Sequence, residues 1–449
     1  MSRMRTQRTL TTRTSRREFV QTGATVLAGL GAAAGTVRPG PLESLALFGG
    51  PKTVIYPAGR HTYVIKWPRY GEPEKKALHE MIDSGRFYEE LPLFEKEWQA
   101  YTKSPFVKAH MNGTSALTSL YFALDLPPGS EIMVPSYTFF ATILPMRFFQ
   151  YVPIFIDLNP RTATFDVEDA ARKLTSRTKA VMPMHSWGMP CEMDSIEQFA
   201  REHGLILLED AAQAHGASMQ GRKMGTWGAM GIYSFQLSKV LPAVEGGMGV
   251  YQKREYYERA AAFGHYEDPV KFPKDSPIRA YEGTGFGQKY RMHPMAAALA
   301  RVQLKSLDER NALVNAQVRK LNDRLIQLPG LSEPVCRPDQ NRVYYYGNML
   351  FLDEKKAGFS RAALLKALQA EGVRAHIWDY PLQHKFRIYS EAKWWHHPPL
   401  IPAALHGSEQ VNRTHIFLPL FYADVAELID QYAGAFEKVW AHRSELARL

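Results

Sequence analysis

Leu205-Ile-Leu-Leu-Glu-Asp210-Ala-Ala-Gln213, followed after a short second strand by Ser234-Phe-Gln-Leu-Ser-Lys239 and Glu245-Gly-Gly247, is the stretch that decides the fold. An apolar strand ends on a carboxylate. The second strand leads to a hydroxyl and, five residues later, to a lysine. In open α/β sheets, ligands sit beyond the carboxyl ends of the strands. That order suits pyridoxal phosphate, which needs an amine for a Schiff base, an acid to keep its pyridine nitrogen protonated, and donors for its phosphate. A lone lysine in a loop is usually only a surface residue, so the weight rests on what surrounds Lys239.

Met111-Asn112-Gly113-Thr114-Ser115-Ala116-Leu117 supplies a second piece. A glycine turn opens an apolar stretch, Leu117 to Leu124, that reads as a helix. Free N–H groups and the dipole make a helix N-terminus a phosphate site, and Thr114 and Ser115 add hydroxyls there. Small polar residues also cap helices that bind nothing. The third piece is Val134-Pro-Ser-Tyr-Thr-Phe139-Phe-Ala141, an aromatic run at the end of the strand Glu131 to Val134. An aromatic there is commonly core, yet it could stack on a flat ring.

Further strand-like runs recur at Val152 to Ile156, Ala180 to Met184 and Leu205 to Leu208, with helical stretches between. Spacing of roughly 20–30 residues per strand fits βαβ units and a parallel sheet. Pro73 to Ser84 reads as a helix ending at Gly85, and Phe94 to Tyr101 as another. Pro294 opens a long helical stretch that Pro329-Gly330 stops. A smaller α/β unit follows, with strand-like Tyr346 to Phe351, a helix from Arg361 to Glu371 and strand-like Val373 to Trp378. The last helix is expected to begin at Asp424, with Glu427 three residues on, close to a capping-box pattern.

Together the motifs around Thr114, Phe139, Asp210 and Lys239 resemble the sugar aminotransferases of the DegT/StrS group, a branch of the fold-type I pyridoxal phosphate enzymes. The resemblance runs from near Leu45-Ala-Leu-Phe-Gly-Gly50 to the C-terminus. It includes His185-Ser-Trp-Gly188, Tyr290-Arg-Met292, Ala296-Ala-Ala298 and Gln303-Leu304. It implies an α/β fold with a large cofactor-binding domain over 41–310, whose sheet is mostly parallel, and a smaller C-terminal α/β domain over 311–449. By that resemblance Lys239 is the Schiff-base lysine and Asp210 pairs with the pyridinium nitrogen. Gln213 lies against the ring, and Phe139 stacks on it. Gly113, Thr114, Ser115 and Ser234 serve the phosphate.

Two departures stand out. The family often has glycine where this chain has Val244, and asparagine in the stretch that here reads Gly287-Gln-Lys289-Tyr-Arg-Met292. Lys289 can still meet a neighbour's phosphate as a point charge, which implies a homodimer. The implied reaction moves an amino group from glutamate or glutamine to a keto sugar or keto cyclitol, as in a glutamine–scyllo-inositol transaminase. His185, Tyr380 and His384 are candidate substrate contacts. Two alternatives share the fold: a pyridoxal phosphate sugar dehydratase or other lyase, and a catalytically silent sensor. Retention of Lys239 favours transamination.

The chain has 449 residues and a formal net charge of +10. Residues 1–38 hold seven arginines against Glu18 alone, so six of the ten net positives lie there. The body is only mildly basic, and its charge makes no case for nucleic acid. Ser15-Arg16-Arg17-Glu18-Phe19-Val20 resembles the twin-arginine export motif. A charge-free, Gly/Ala-rich stretch follows, and Ala32-Ala-Ala34 offers small residues for cleavage. Residues 1–40 therefore read as a signal peptide for the twin-arginine export machinery. Export to the periplasm is the expected location, with the cytoplasm as the alternative. Two cysteines, Cys191 and Cys336, make no disulfide framework. Scattered histidines make a metal site an unpromising reading, and none is expected.

Overall fold

The computed structural model describes residues 43–449; the stretch expected to be a twin-arginine signal, with its expected cleavage site, lies outside them. Seven strands build the central sheet: β1 (Phe106–His110), β2 (Glu131–Pro135), β3 (Val152–Ile156), β4 (Thr178–Val181), β5 (Ile206–Asp210), β6 (Met230–Ser234) and β7 (Gly247–Tyr251). Their order across the sheet is β1-β7-β6-β5-β4-β2-β3. The neighbours from β3 through β6 are parallel, and β7 runs antiparallel to both β6 and β1. Every residue of β2, β3, β6 and β7 is buried, as a sheet covered on both faces requires.

The strand expected over Ala180 to Met184 is observed at Thr178–Val181, and the one over Leu205 to Leu208 extends to Asp210. The helix before Gly85 is Glu72–Ser84, with proline in its first turn, and the next is Glu90–Thr102. The helical stretch opened by Pro294 is two consecutive helices, Pro294–Lys305 and Leu307–Leu325, and the expected domain boundary at 310/311 falls inside the second of them.

A smaller antiparallel sheet joins Leu331–Ser332, Asn348–Leu352 and His415–Leu418. The helices Arg361–Ala370 and Ala426–Ala441 pack with it around a second apolar core that includes Leu350, Leu364, Ile416 and Phe436. Val373 to Trp378 is not a strand. The segment makes one isolated bridge, His376 to Phe417, and then departs toward a cavity that Trp378 lines. Asp424 does not cap the last helix: its carboxylate pairs with Lys320 at 3.0 Å, and the helix begins at Ala426 without a side-chain cap.

Candidate active site

The carboxyl ends of β2, β5 and β6 and the start of the helix Gly113–Leu124 open on one cavity of about 800 Å³. Two close approaches bring that helix to the sheet. A Cβ on Gly113 would stand 2.8 Å from the Ser234 Cβ, and one on Gly247 would stand 2.3 Å from the Asn112 carbonyl oxygen. Only glycine permits this contact of helix start with β6 and β7. Asn112 caps the helix by accepting the Ser115 N–H at 2.8 Å. The N–H groups of Gly113 and Thr114 belong to the first turn, where the helix itself offers no acceptor. Gly113, Thr114 and Ser234 line the cavity.

Ser115, expected among the phosphate donors, is placed elsewhere. Its hydroxyl donates to the Asn112 carbonyl at 2.8 Å and accepts the Asn112 N–H at 3.1 Å. The capping box uses it, and it does not line the cavity.

Asp210 ends β5 facing the cavity. One carboxylate oxygen accepts the Ala212 N–H at 3.0 Å, and the other accepts the Thr142 hydroxyl at 2.7 Å. Gln213 borders the same space while its Oε1 takes the Trp187 N–H at 2.7 Å. Across the cavity, the Lys239 Nζ lies 3.4 Å from the Tyr345 hydroxyl and 4.6 Å from the centre of that ring. The Trp67 indole N–H donates to the Lys239 carbonyl at 3.1 Å, fixing the loop. Phe139 lines the cavity beside Phe140, ring centres 4.2 Å apart.

Tyr380 lines the cavity as expected, but two other candidate substrate contacts do not. His185 is fully buried. Its Nδ1 accepts the Cys191 N–H and its Nε2 meets the Glu209 carboxylate at 3.1 Å. Glu209 also accepts N–H groups from Gly225, Trp227 and Gly228. Those bonds assign the proton to Nε2 and make His185 part of the support beneath β5. His384 is buried with its Nδ1 on the Ser136 hydroxyl at 2.7 Å. Its neighbour Gln383 reaches the cavity instead. Lys289 is exposed and is not among the lining residues of its own chain's cavity.

Thr142 and Tyr345, beside Asp210 and Lys239, are among the site residues that the sequence does not reveal. Thr142 follows the quoted aromatic run by one residue, and Tyr345 sits in Tyr344-Tyr-Tyr346 just before a strand. Neither position carries a motif.

Pyridoxal phosphate fits this donor set. The glycine-lined helix start accommodates an anion, Asp210 offers an oriented carboxylate, and Lys239 provides the amine, all on one cavity.

The sequence profile of the DegT/DnrJ/EryC1/StrS aminotransferase family matches residues 68–433. An L-glutamine:scyllo-inosose aminotransferase of Streptomyces griseus is 27% identical over 437 residues, covering 90% of this chain and all of the relative. A dTDP-3-amino-3,4,6-trideoxy-alpha-D-glucose transaminase of Streptomyces venezuelae is 32% identical over 272 residues, covering 60% of this chain and 69% of that one. The X-ray structure of an aminotransferase from Psychrobacter cryohalolentis superposes with a TM-score of 0.76 at 26% identity, covering 84% of this chain and 99% of that one.

Proposed function

The chain belongs to the DegT/DnrJ/EryC1/StrS aminotransferase family of pyridoxal phosphate enzymes, and on that premise we propose that it moves an amino group from glutamine or glutamate to a keto sugar or keto cyclitol. The observation that carries this reading is the convergence of Asp210, Lys239 and the start of the helix Gly113–Leu124 on one cavity. Its relatives include an L-glutamine:scyllo-inosose aminotransferase and a dTDP-amino-sugar transaminase.

When bound, pyridoxal phosphate supplies an electron sink for the carbon that carries the amino group. Lys239 Nζ would hold the cofactor, and its free amine would carry the proton at the donor's Cα. The Asp210 carboxylate, held by Thr142 and the Ala212 N–H, would keep the pyridine nitrogen protonated by opposite charge. Gln213 and Phe139 would hold the ring, and Gly113, Thr114 and Ser234 would receive the phosphate.

Adding glutamate or glutamine to the holoenzyme should bleach the visible cofactor absorbance, and a keto acceptor should restore it. Lys239→Ala should lose both the absorbance and the transfer. A Lys239→Ala protein that transfers amine at the parent rate would end the proposal.

The active unit is a homodimer in which Lys289 reaches the partner's phosphate. Mixing Lys239→Ala with Lys289→Ala subunits should restore a fraction of activity, and full activity from a monomer in sedimentation would contradict it. Arg16 and Arg17 direct export of the folded, cofactor-loaded protein. Cell fractionation should find the parent outside the cytoplasm, trimmed near Ala34, and a double-lysine variant retained inside. Untrimmed cytoplasmic parent protein would refute export.

A further inference from the structure

A second cavity, of about 380 Å³, shares no lining residue with the first. It sits between the far end of the helix Leu307–Leu325 and the run from Leu331 to Tyr344 that leads into the small sheet. Its volume falls in the range of small-molecule sites, about 300–1,000 Å³. Ile326, Leu331 and Val335 give it an apolar wall, and Ile326 and Val335 stand exposed there.

Arg342 is the member of this lining that calls for a partner. It is only 8% exposed. Its guanidinium lies 4.1 Å from the centre of the Tyr344 ring, a contact that holds it from one side. Its Nε is buried without a hydrogen-bond partner. The carboxylate of the lining, Glu333, is already engaged: it accepts from Arg319 at 2.8 Å and from Asn322 at 2.5 Å. Arg319 also pairs with Asp323 at 2.9 Å. Arg342 is thus left, among the described residues, without an ion pair. A buried charge is costly unless it is paired and hydrogen-bonded. The guanidinium is a planar fork of donors, and a carboxylate or phosphate meets it with two parallel bonds.

We propose that this cavity is a second binding site, for a small organic oxyanion, a carboxylate or phosphate monoester with an apolar body. The anionic head pairs with Arg342, and the body lies against Ile326, Leu331 and Val335. Tyr344, which backs the guanidinium, is followed in the chain by Tyr345, whose hydroxyl lies 3.4 Å from the Lys239 Nζ. The Val343 N–H donates to the Gly188 carbonyl at 3.1 Å and so ties the same run to the loop that carries Trp187. A ligand on Arg342 therefore sits on the back of a segment whose front faces the active site.

Cys336 provides the readout. It lines this cavity and is exposed, whereas Cys191 is fully buried. The full holoenzyme is treated with N-ethylmaleimide, an uncharged reagent, while phenylacetate or phenyl phosphate is titrated in, and alkylation of Cys336 is followed by peptide mass spectrometry. At ten times its dissociation constant a bound probe leaves about one site in eleven free, so alkylation should slow about tenfold. The stronger protector tells a carboxylate ligand from a phosphate one. Benzyl alcohol has the ring without the charge and should protect little. Arg342→Gln should abolish protection. Because Arg342 is buried, Ser332→Glu is the second variant: Ser332 is exposed and lines the same cavity. It keeps Arg342 but sets a carboxylate beside the site, and it too should abolish protection. Whichever variant retains the parent's circular dichroism decides. Protection by neither anion, equal protection by benzyl alcohol, or protection that survives in a folded variant would overturn the proposal. So would a parent Cys336 that does not react, since another surface would then cover the cavity.

Discussion

The two ends of the cavity are built on opposite principles. At the inner end, polar atoms are already committed: Asp210 holds two donors, Gln213 holds the Trp187 N–H, and the helix start is capped by Asn112. At the mouth, large rings stand half in water. Committed hydrogen bonds cannot reorganise during a reaction, which is what stabilising a developing charge requires. Aromatic faces without fixed polar partners can receive ligands that differ in outline. The contrast implies that the chemistry is set by the inner end and the choice of acceptor by the rim, so substitutions at the two ends should fail in different ways.

The largest effect should come from Asp210→Asn. The amide keeps much of the shape but loses the charge that favours a protonated pyridine nitrogen. We expect kcat to fall by roughly 10²–10⁴-fold, the range of acid–base contributions, with the cofactor still bound and the acceptor KM little changed. Stopped-flow absorbance with glutamate measures the first half directly. A large rise in acceptor KM with kcat preserved would break the separation between the two ends.

A smaller effect concerns pH. His110, at the end of β1, and His215, two residues beyond Gln213, are fully buried. Burial, reinforced by the Lys108 charge, lowers the His110 pKa to about 3. Burial, reinforced by Lys239 and Arg310, lowers that of His215 to about 3 as well. Both are neutral in the folded protein at neutral pH. Below the ordinary histidine value of 6.5 the unfolded chain binds protons that the folded chain refuses. Stability therefore falls as pH drops from 6.5 toward 3, by up to about 1.4 kcal/mol per pH unit for each group. Thermal unfolding followed from pH 7 to 5 should show this decline, with cofactor release accompanying it. His215→Phe should flatten the slope, because that ring already packs among Trp98, Tyr233 and Phe235. An unchanged slope would show that His215 is not the group protonated.

Much of the inner end is legible in the sequence because its signals are local. Asp210 closes an apolar strand, Lys239 follows Ser234 by a short loop, and Gly113 opens a helix. Thr142 was not legible, because its meaning depends on Asp210, 68 residues away, and Tyr345 acquires its role from Lys239, 106 residues away. His185 and His384 drew attention as histidines near strand ends or loops. Only the fold reveals that one supports Glu209 and the other is tied to Ser136. The strand β7 escaped for a different reason. Gly247 and Gly249 weaken its pattern, yet Gly247 is what allows the Asn112 turn to approach.

The smallest expected effect lies on the loop joining the two ends. Val244 adopts φ 67°, a left-handed conformation that penalises a β-branched residue. It stands where the family often has glycine. The Leu237 N–H donates to its carbonyl at 3.0 Å, so the loop's own hydrogen bond holds the strained turn in place. Half of the side chain is in water, and little packing offsets the strain. Glycine would relieve about 1–2 kcal/mol of left-handed strain but enlarge the unfolded ensemble by about 0.4–1 kcal/mol. Val244→Gly should therefore stabilise the protein by about 0–1.6 kcal/mol, seen as a small rise in the denaturant midpoint. Because Glu245 is the next residue and lines the cavity, the same variant asks whether valine is retained to stiffen the acceptor side. If so, the acceptor KM should rise while the cofactor spectrum stays as in the parent. A loss of stability instead would mean that the Val244 side chain packs more tightly than its exposure indicates, and that the loop is held by contact, not strained by its backbone.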